Sequence, residues 1–394
     1  MRNVVIASAV RTPIGSFGCS LASVSAAELG QLVVSDVLRR GGVTPEQVDE
    51  VIMGQILSGS CGQNPARQVA ISAGIPDHIP SYTVNKLCGS GLKSVALGAL
   101  AIAAGEADII VAGGMESMSR APYYLDKARN GYRMGNGILE DSILKDALTD
   151  AFHGIHMGIT AENIADQFRI SREEADAFAL QSQQKAAKAM SEGLFNREIV
   201  PVPVSGKRGE TVMVTDDEYP RRDTTMESLA KLRPAFKDGG VVTAGNSSGI
   251  NDGAAAILLM DEGTAGQAGI RPLARILGWG SVGVDPRIMG MGPVEAIRKA
   301  LAKAGVTLDD IDLVELNEAF AVQSLAVIRE LRLDSRKVNV NGGAIALGHP
   351  VGCSGARVLV TLLHEMQRGG LRRGLVALCI GGGQGIAMVV ERDS

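Results

Sequence analysis

Cysteine is scarce and poorly placed for structural duty. The five residues, at 19, 61, 88, 353 and 379, form an odd set with no C-x-x-C pair, which argues against a disulfide scaffold and against a zinc knuckle. A reducing compartment follows, and with it a cytoplasmic location. Long runs of like charge are also missing. The formal charge of −4 is spread along the chain, so nothing points to a nucleic-acid groove or an acidic tail. No stretch reaches the ~20 apolar residues of a membrane helix, so no membrane span is expected. The opening MRNVVIASAVRTPIG breaks at Arg11 and reads as a strand, not a signal peptide. His153 and His156 lack a third ligand signature, so no metal is expected. GSGLKS lacks the spacing of a phosphate loop. GGGQG follows a strand, but neither a helix nor an acidic partner comes after it, so a nicotinamide cofactor is not expected either.

What is present is a globular balance, 45% apolar and 21% charged, over 394 residues, with 49 glycines in no triplet period. That length predicts two similar domains plus insertions. Ser25 to Arg40 opens with a capping box, Ser25 with Glu28, and puts Leu29, Leu32, Val33 and Val37 on one helical face. Val48 to Ile56, Tyr82 to Asn85 and Ile109 to Gly113 read as strands. Helices alternating with apolar strands predict a mainly parallel sheet covered on both faces.

A repeat organises the chain. Gly42, Val43, Thr44, Asp49 and Val51 recur as Gly305, Val306, Thr307, Asp312 and Val314, 263 positions later. The same offset carries Cys88 into GGAIALGHPVGCSGARVL, expected to be another strand, Gly-rich turn and helix, and carries ADIIVAGG onto GLVALCIGGG. Two fused copies of one α/β unit account for all three coincidences. Between the copies, from about Ser119 to Gly245, charge thickens and Pro201, Pro203 and Pro220 interrupt the pattern. This insertion is expected to act as a lid or ligand-holding part.

The chemistry concentrates at four Gly-flanked polar positions expected at strand ends: Cys88, Asn317, His349 and Cys379. Strand ends are where open α/β sheets bind ligands. Cys88 is the centre of VNKLCGSGLKSVALGAL, a strand, a Gly turn and a helix, where the helix dipole is expected to favour a thiolate.

Seven blocks in order, NKLCGSGLKS, GGMESMS, KLRPAF, GNSSGINDGAA, NEAFA, NGGAIALGHPVG and CIGGGQG, resemble the thiolase family over the whole chain. Through LTDAFHGIHMG the resemblance leans to its short-chain biosynthetic branch. It implies a thiolase-like α/β fold, with two pseudo-symmetric halves in stacked α-β-α-β-α layers and an inserted loop domain. The divisions are 1–118 with 246–270, 119–245, and 271–394. It implies acetyl-CoA C-acetyltransferase chemistry: condensation of two acetyl-CoA to acetoacetyl-CoA and CoA through an acetyl-Cys88 intermediate. His349 would activate Cys88 and Cys379 would be the second acid/base. Asn317 would hold a water beside His349 in one oxyanion hole, with the N–H groups of Cys88 and Gly381 as a second. Leu148, His156, Met157, Arg221, Ser228, Leu232, Phe236, Ala244, Ser248, Met289, Ala319 and Phe320 match positions lining the coenzyme A channel. Coenzyme A would be substrate and product, with no other cofactor, and the assembly a homotetramer of tight dimers.

Chemistry asks for the same residue types. A soft nucleophile must hold the first acyl group, and a base must take a weakly acidic α-proton while donors meet the enolate oxygen. Cys353 stands at a turn where the biosynthetic branch often has Ala, which keeps a longer-chain 3-ketoacyl-CoA thiolase as the nearest variant. A non-catalytic acyl-CoA or lipid carrier is the reading from another class, and it would require none of the four reactive positions.

Overall fold

The computed structural model describes residues 2–206 and 209–393. Nine strands matter for the site: β1 (Val4–Arg11), β2 (Glu50–Gly54), β3 (Ser81–Val84), β4 (Ile109–Ser117), β5 (Asn251–Asp261), β6 (Ala274–Gly283), β7 (Leu313–Leu316), β8 (Arg373–Ile380) and β9 (Gln384–Glu391). They run in the order β7-β8-β9-β6-β1-β5-β4-β2-β3, and the two-residue strand Gly15–Ser16 adds to β5 as a tenth. The helices used below are α1 (Ala26–Gly41), α2 (Ser90–Ala104), α3 (Met157–Phe168), α4 (Arg172–Ser191), α5 (Gly292–Ala304), α6 (Ala321–Leu331) and α7 (Val351–Gly369).

The predicted duplication is visible in this order. The series β1-α1-β2, α2-β4-β5 is matched by β6-α5-β7, α7-β8-β9, and the halves meet where Val5 pairs with Arg275 and Ile6 with Ala274. One counterpart is missing. The strand expected before the His349 turn is reduced to a single bridge between Val338 and Val314, and the chain there forms a short helix, Ala344–Leu347, instead.

The sheet is not mainly parallel. Only β2–β3, β2–β4 and β7–β8 run parallel, and the other pairings are antiparallel. Connection length is the reason for one of them: β8 and β9 are joined by Gly381, Gly382 and Gly383, too short for a crossover, and the latter two glycines sit at φ 74° and 79°.

Alternation along the strands builds the layers. Ala254, Ala256, Leu258 and Met260 of β5 meet Leu29, Val33 and Val37 of α1 on one outer face. Ala255, Ile257 and Leu259 meet α2 and α7 on the inner face, joined from the other half by Ile386, Met388 and Val390 of β9. Ala387 and Val389 face the second outer layer, with Ile297 of α5 and Val322 of α6. In β1 a register shift between Ile6 and Ser8 keeps Val4, Ile6 and Ala9 inward while Val5, Ala7 and Val10 face out. The stack is therefore helix, sheet, helix, sheet, helix. Ser25 caps α1 with the expected capping box, and Leu29, Val33 and Val37 are buried, with Leu32 half-buried.

The central helices touch backbone to backbone. A Cβ on Gly91 would lie 2.7 Å from the Ala356 nitrogen, and one on Gly355 would lie 2.3 Å from the Leu92 nitrogen. The absence of a membrane-length apolar stretch needs correcting here, because Leu87–Ala104 is long and apolar enough by composition. Its apolarity has another cause: α2 is sandwiched in the middle layer, with Leu92, Val95, Ala99 and Ile102 buried between both sheet halves.

The segment between β4 and β5 carries α3 and α4 and is tied to β1 by a buried charge cluster. Arg11 donates to Glu198 at 2.6 Å and bidentately to Asp217 at 2.6 and 2.8 Å. All three side chains are buried, so each charge depends on the others.

Candidate active site

Cys88 follows β3 and immediately precedes Gly89, the N-cap of α2. The residue before it, Leu87, is held at φ 48°, the only apolar side chain among the six non-glycine positions at positive φ in the described residues. Such local strain is stored where surrounding structure enforces it. Cys88 is half-buried against the apolar cluster that holds Ile56, Leu57 and Val351, as is Leu148. Its own backbone N–H and that of Gly381 favour the charged form of its sulfur. The expected thiolate is not what the structure favours at rest. Burial pushes the Cys88 thiol up and the Glu116 carboxylate adds to this, outweighing the two N–H groups.

Gly381 lies just past β8, and a Cβ there would stand 3.2 Å from Leu87 Cδ1 and 3.4 Å from Met157 Sδ. The nucleophile turn, the β8–β9 hairpin and the start of α3 thus converge. Cys379 lies within β8, not beyond its end, and is fully buried. Its thiol is pushed well above the ordinary range, by burial first and then by the neighbouring Cys88 sulfur.

His349 stands between Ala344–Leu347 and α7 and is buried. Its N–H donates to Asn251 Oδ1 at 2.9 Å, and its Nδ1 lies 2.6 Å from Ser354 Oγ. The Ser354 hydroxyl donates to the Pro350 carbonyl at 2.9 Å, so its lone pairs are left to accept from Nδ1–H. That assigns the Nε2 lone pair as the free one, and Nε2 is buried without a protein partner. Burial, helped by the Arg357 charge, drives the imidazole pKa down to about 3. The ring is therefore a neutral base whose acceptor nitrogen has no protein partner.

Asn317 follows β7, its N–H bonded to Ala377 O at 2.9 Å. Both polar atoms of its buried amide lack a protein partner, an arrangement that costs free energy unless a ligand or water completes it.

The coenzyme A positions divide into groups. Arg221, Ser228, Leu232 and Ala244 line one cavity of about 550 Å³, with the Arg221 guanidinium 5.8 Å from the Tyr219 ring centre. His156 stacks on Phe236 with centroids 4.6 Å apart, and Phe236 meets Phe320 edge-on at 6.4 Å. Ser248 N–H bonds Ala319 O at 3.0 Å, fixing the chain beside that aromatic group. Met157 and Gly381 line a second cavity of about 490 Å³, with Leu87, Ala147 and Phe152. Met289 is packed into the apolar core and lines neither cavity. Cys353 is not at a turn: it is the third residue of α7 and buried. Reasoning from sequence missed Ser354, Asn251 and Glu116. Ser354 follows His349 by five residues, with His349 outside α7, so no helical spacing pointed to the pair.

Models of the thiolase N-terminal and C-terminal domains match residues 4–263 and 270–392. The chain is 59% identical to an acetyl-CoA acetyltransferase of Escherichia coli over 100% of both chains. It is 58% identical to one of Chromobacterium violaceum over 99% of both. Among solved structures, the acetyl-CoA acetyltransferase of Bacillus anthracis superposes with a TM-score of 0.97 at 48% identity, covering 99% of each chain. Human mitochondrial 3-ketoacyl-CoA thiolase superposes with a TM-score of 0.97 at 46% identity, covering 100% of this chain and 99% of that one.

Proposed function

The chain belongs to the thiolase family, and from that premise we propose that it is an acetyl-CoA C-acetyltransferase working through acetyl-Cys88. The observation that carries the role of Cys88 is that its turn, through Leu87, meets Gly381 at one cavity of about 490 Å³, which offers the N–H groups of Cys88 and Gly381 as donors beside its sulfur. A thioester carbonyl attacked by that sulfur would place its developing oxyanion beside the same two donors.

In the first half-reaction the Cys88 S–H proton passes to His349 Nε2 as sulfur bonds to the acetyl carbon. The C–S bond to coenzyme A breaks, and the leaving sulfur takes a proton from Cys379. In the second, the Cys379 thiolate removes an α-proton from a new acetyl-CoA, and the resulting carbanion bonds to the acetyl carbon on Cys88. The Cys88 sulfur leaves and recovers its proton from His349. The environment that raises the Cys379 pKa suits this step, since the less stable thiolate is the stronger base toward a weak carbon acid. The unpartnered Asn317 amide and His349 Nε2 supply polar contacts for the enolate oxygen, directly or through water.

Coenzyme A would run from the Arg221 cavity past the His156–Phe236 stack to Cys88, with residues 119–245 as its main support. Assembly into a homotetramer belongs to the same reading. Tyr123, Met134, Ile138 and Leu139 are exposed apolar side chains in one excursion, and light scattering on the purified chain tests it.

Incubation with acetyl-CoA followed by peptide mass spectrometry should place acetyl on the Cys88 peptide. Label on Cys379 alone would exchange the two roles. Consumption of the free coenzyme A thiol on mixing with acetoacetyl-CoA, as two acetyl-CoA form, separates the enzyme from a non-catalytic carrier. The likeness to the human 3-ketoacyl-CoA thiolase supports a second reading with longer chains. Comparable specificity constants for acetoacetyl-CoA and a ten-carbon 3-ketoacyl-CoA would favour that one.

A further inference from the structure

Glu116 in β4 takes no part in the chemistry above, yet it is fully buried in the middle of it. Its Oε2 accepts from the Ile56 N–H at 3.1 Å and the Gly352 N–H at 2.9 Å, and its Oε1 accepts from the Leu57 N–H at 3.1 Å. Ile56 and Leu57 follow β2 and belong to the apolar cluster against which Cys88 packs. Gly352 is the second residue of α7, three after His349, and the positive end of that helix dipole favours an anion there. The contact leaves no slack: a Cβ on Gly352 would fall 2.7 Å from Glu116 Oε2 and 2.8 Å from the Met115 carbonyl oxygen.

One carboxylate thus joins the turn behind the nucleophile to the helix that starts beside the base. It is also electrostatically linked to both nearby thiols, since its charge raises Cys88 and Cys353. Burial pushes the Glu116 carboxyl up to about 7 against its three N–H bonds, with Asp252 on β5 adding to the push. The other titratable groups around this pair are Cys379 on β8 and, on α7, Cys353 with the Arg357 charge beyond it.

We propose that Glu116 is a positioning residue for acyl transfer: its carboxylate locks the Ile56–Leu57 turn behind Cys88 to the start of α7 beside His349 and places its charge next to the nucleophile. This rests on the reading of Cys88 as the acyl carrier. A purely structural tie would affect stability but leave the ionisation of Cys88 unchanged.

Two full-length variants separate charge from reach. Glu116→Gln removes the charge and turns a donor toward backbone N–H groups. It should lower kcat about 100-fold, the usual cost of an ångström-scale misplacement, with little change in KM for acetyl-CoA. The midpoint pH for iodoacetamide alkylation of Cys88, followed on its peptide, should move down. Glu116→Asp restores the charge one methylene short, so the midpoint should return toward wild type while kcat stays low. A wild-type measurement covers the case in which neither variant folds: the alkylation profile should depart from a single ionisation curve near pH 7, where Glu116 titrates. A Glu116→Gln profile that superimposes on wild type, full kcat in Glu116→Asp, or a single-ionisation wild-type curve would each overturn the proposal. Failure of wild-type Cys88 to become acetylated by acetyl-CoA would instead overturn the reading beneath it.

Discussion

Ser354→Ala removes one oxygen and should leave the fold intact while damaging the base. Ser354 Oγ lies 2.6 Å from His349 Nδ1 and is otherwise engaged with the Pro350 carbonyl at 2.9 Å. Both residues are buried, Ser354 completely. In the variant, the tautomer with Nδ1–H would carry a buried donor without a partner, which costs about 1–3 kcal/mol. The alternative tautomer, with the proton on Nε2 and the lone pair on Nδ1, escapes that cost where substrate or water in the site accepts from Nε2, but it cannot take the Cys88 proton. The productive tautomer therefore falls by that free energy, and at about 1.4 kcal/mol per factor of ten, kcat should drop roughly 10- to 100-fold. Substrate contacts are untouched, so KM for acetyl-CoA should hold. The assay is single-turnover acetylation of Cys88 by acetyl-CoA, which isolates the step that uses His349 as base. An acetylation rate equal to wild type in Ser354→Ala would refute the tautomer argument, because Nε2 would then be competent without the serine.

Three further outcomes are expected. His349 refuses in the folded state a proton that the unfolded chain binds near pH 6.5, its folded pKa being about 3, so stability is lost as pH falls below 6.5. Between that value and about pH 4 the loss should be about 3 kcal/mol more in wild type than in His349→Gln, read from urea melts; parallel curves would count against a neutral buried imidazole. Gly355→Ala puts a Cβ 2.3 Å from the Leu92 nitrogen and should cost about 1–3 kcal/mol or more by forcing α2 and α7 apart, with an unshifted thermal transition as the contrary result. Arg221→Ala should raise KM for acetyl-CoA about tenfold, one charged contact's worth, with kcat unchanged; a fall in kcat at constant KM would place Arg221 in the chemistry and not in the binding cavity.

Much of the frame could be read from the residues because it is written locally. Ser25 with Glu28 announces a helix start, the β5 residues alternate between two faces, and the recurrence of Gly42 to Val51 at Gly305 to Val314 forces two like halves. Strand direction is not written locally. Whether β4 and β5 run parallel depends on where a long excursion returns, which no periodicity in either strand encodes, so the sheet came out mostly antiparallel. The missing strand before His349 has a similar origin. Gly342 sits at φ 81°, and a Cβ on Gly343 would collide with the Glu318 carboxylate at 2.2 Å, so tertiary contact decides the backbone there.

The site divides along the same line, between what neighbours in sequence do to a residue and what neighbours in space do. A cysteine at a glycine turn before a helix is legible as a nucleophile, and the dipole argument for a thiolate uses only that local context. The packed structure adds terms the chain order hides: burial in the cluster that holds Ile56, Leu57 and Val351, and then a carboxylate from β4. These terms act in the opposite direction and prevail, so the resting group is the thiol. For chemistry this is the more useful state, because a sulfur of higher pKa is the more nucleophilic once its proton is gone. A neutral imidazole whose free nitrogen has no other partner is the group to remove that proton. In the proposed mechanism the activation of Cys88 would thereby be tied to substrate arrival, when the carbonyl oxygen would meet the N–H groups of Cys88 and Gly381 and the developing charge would move off the sulfur.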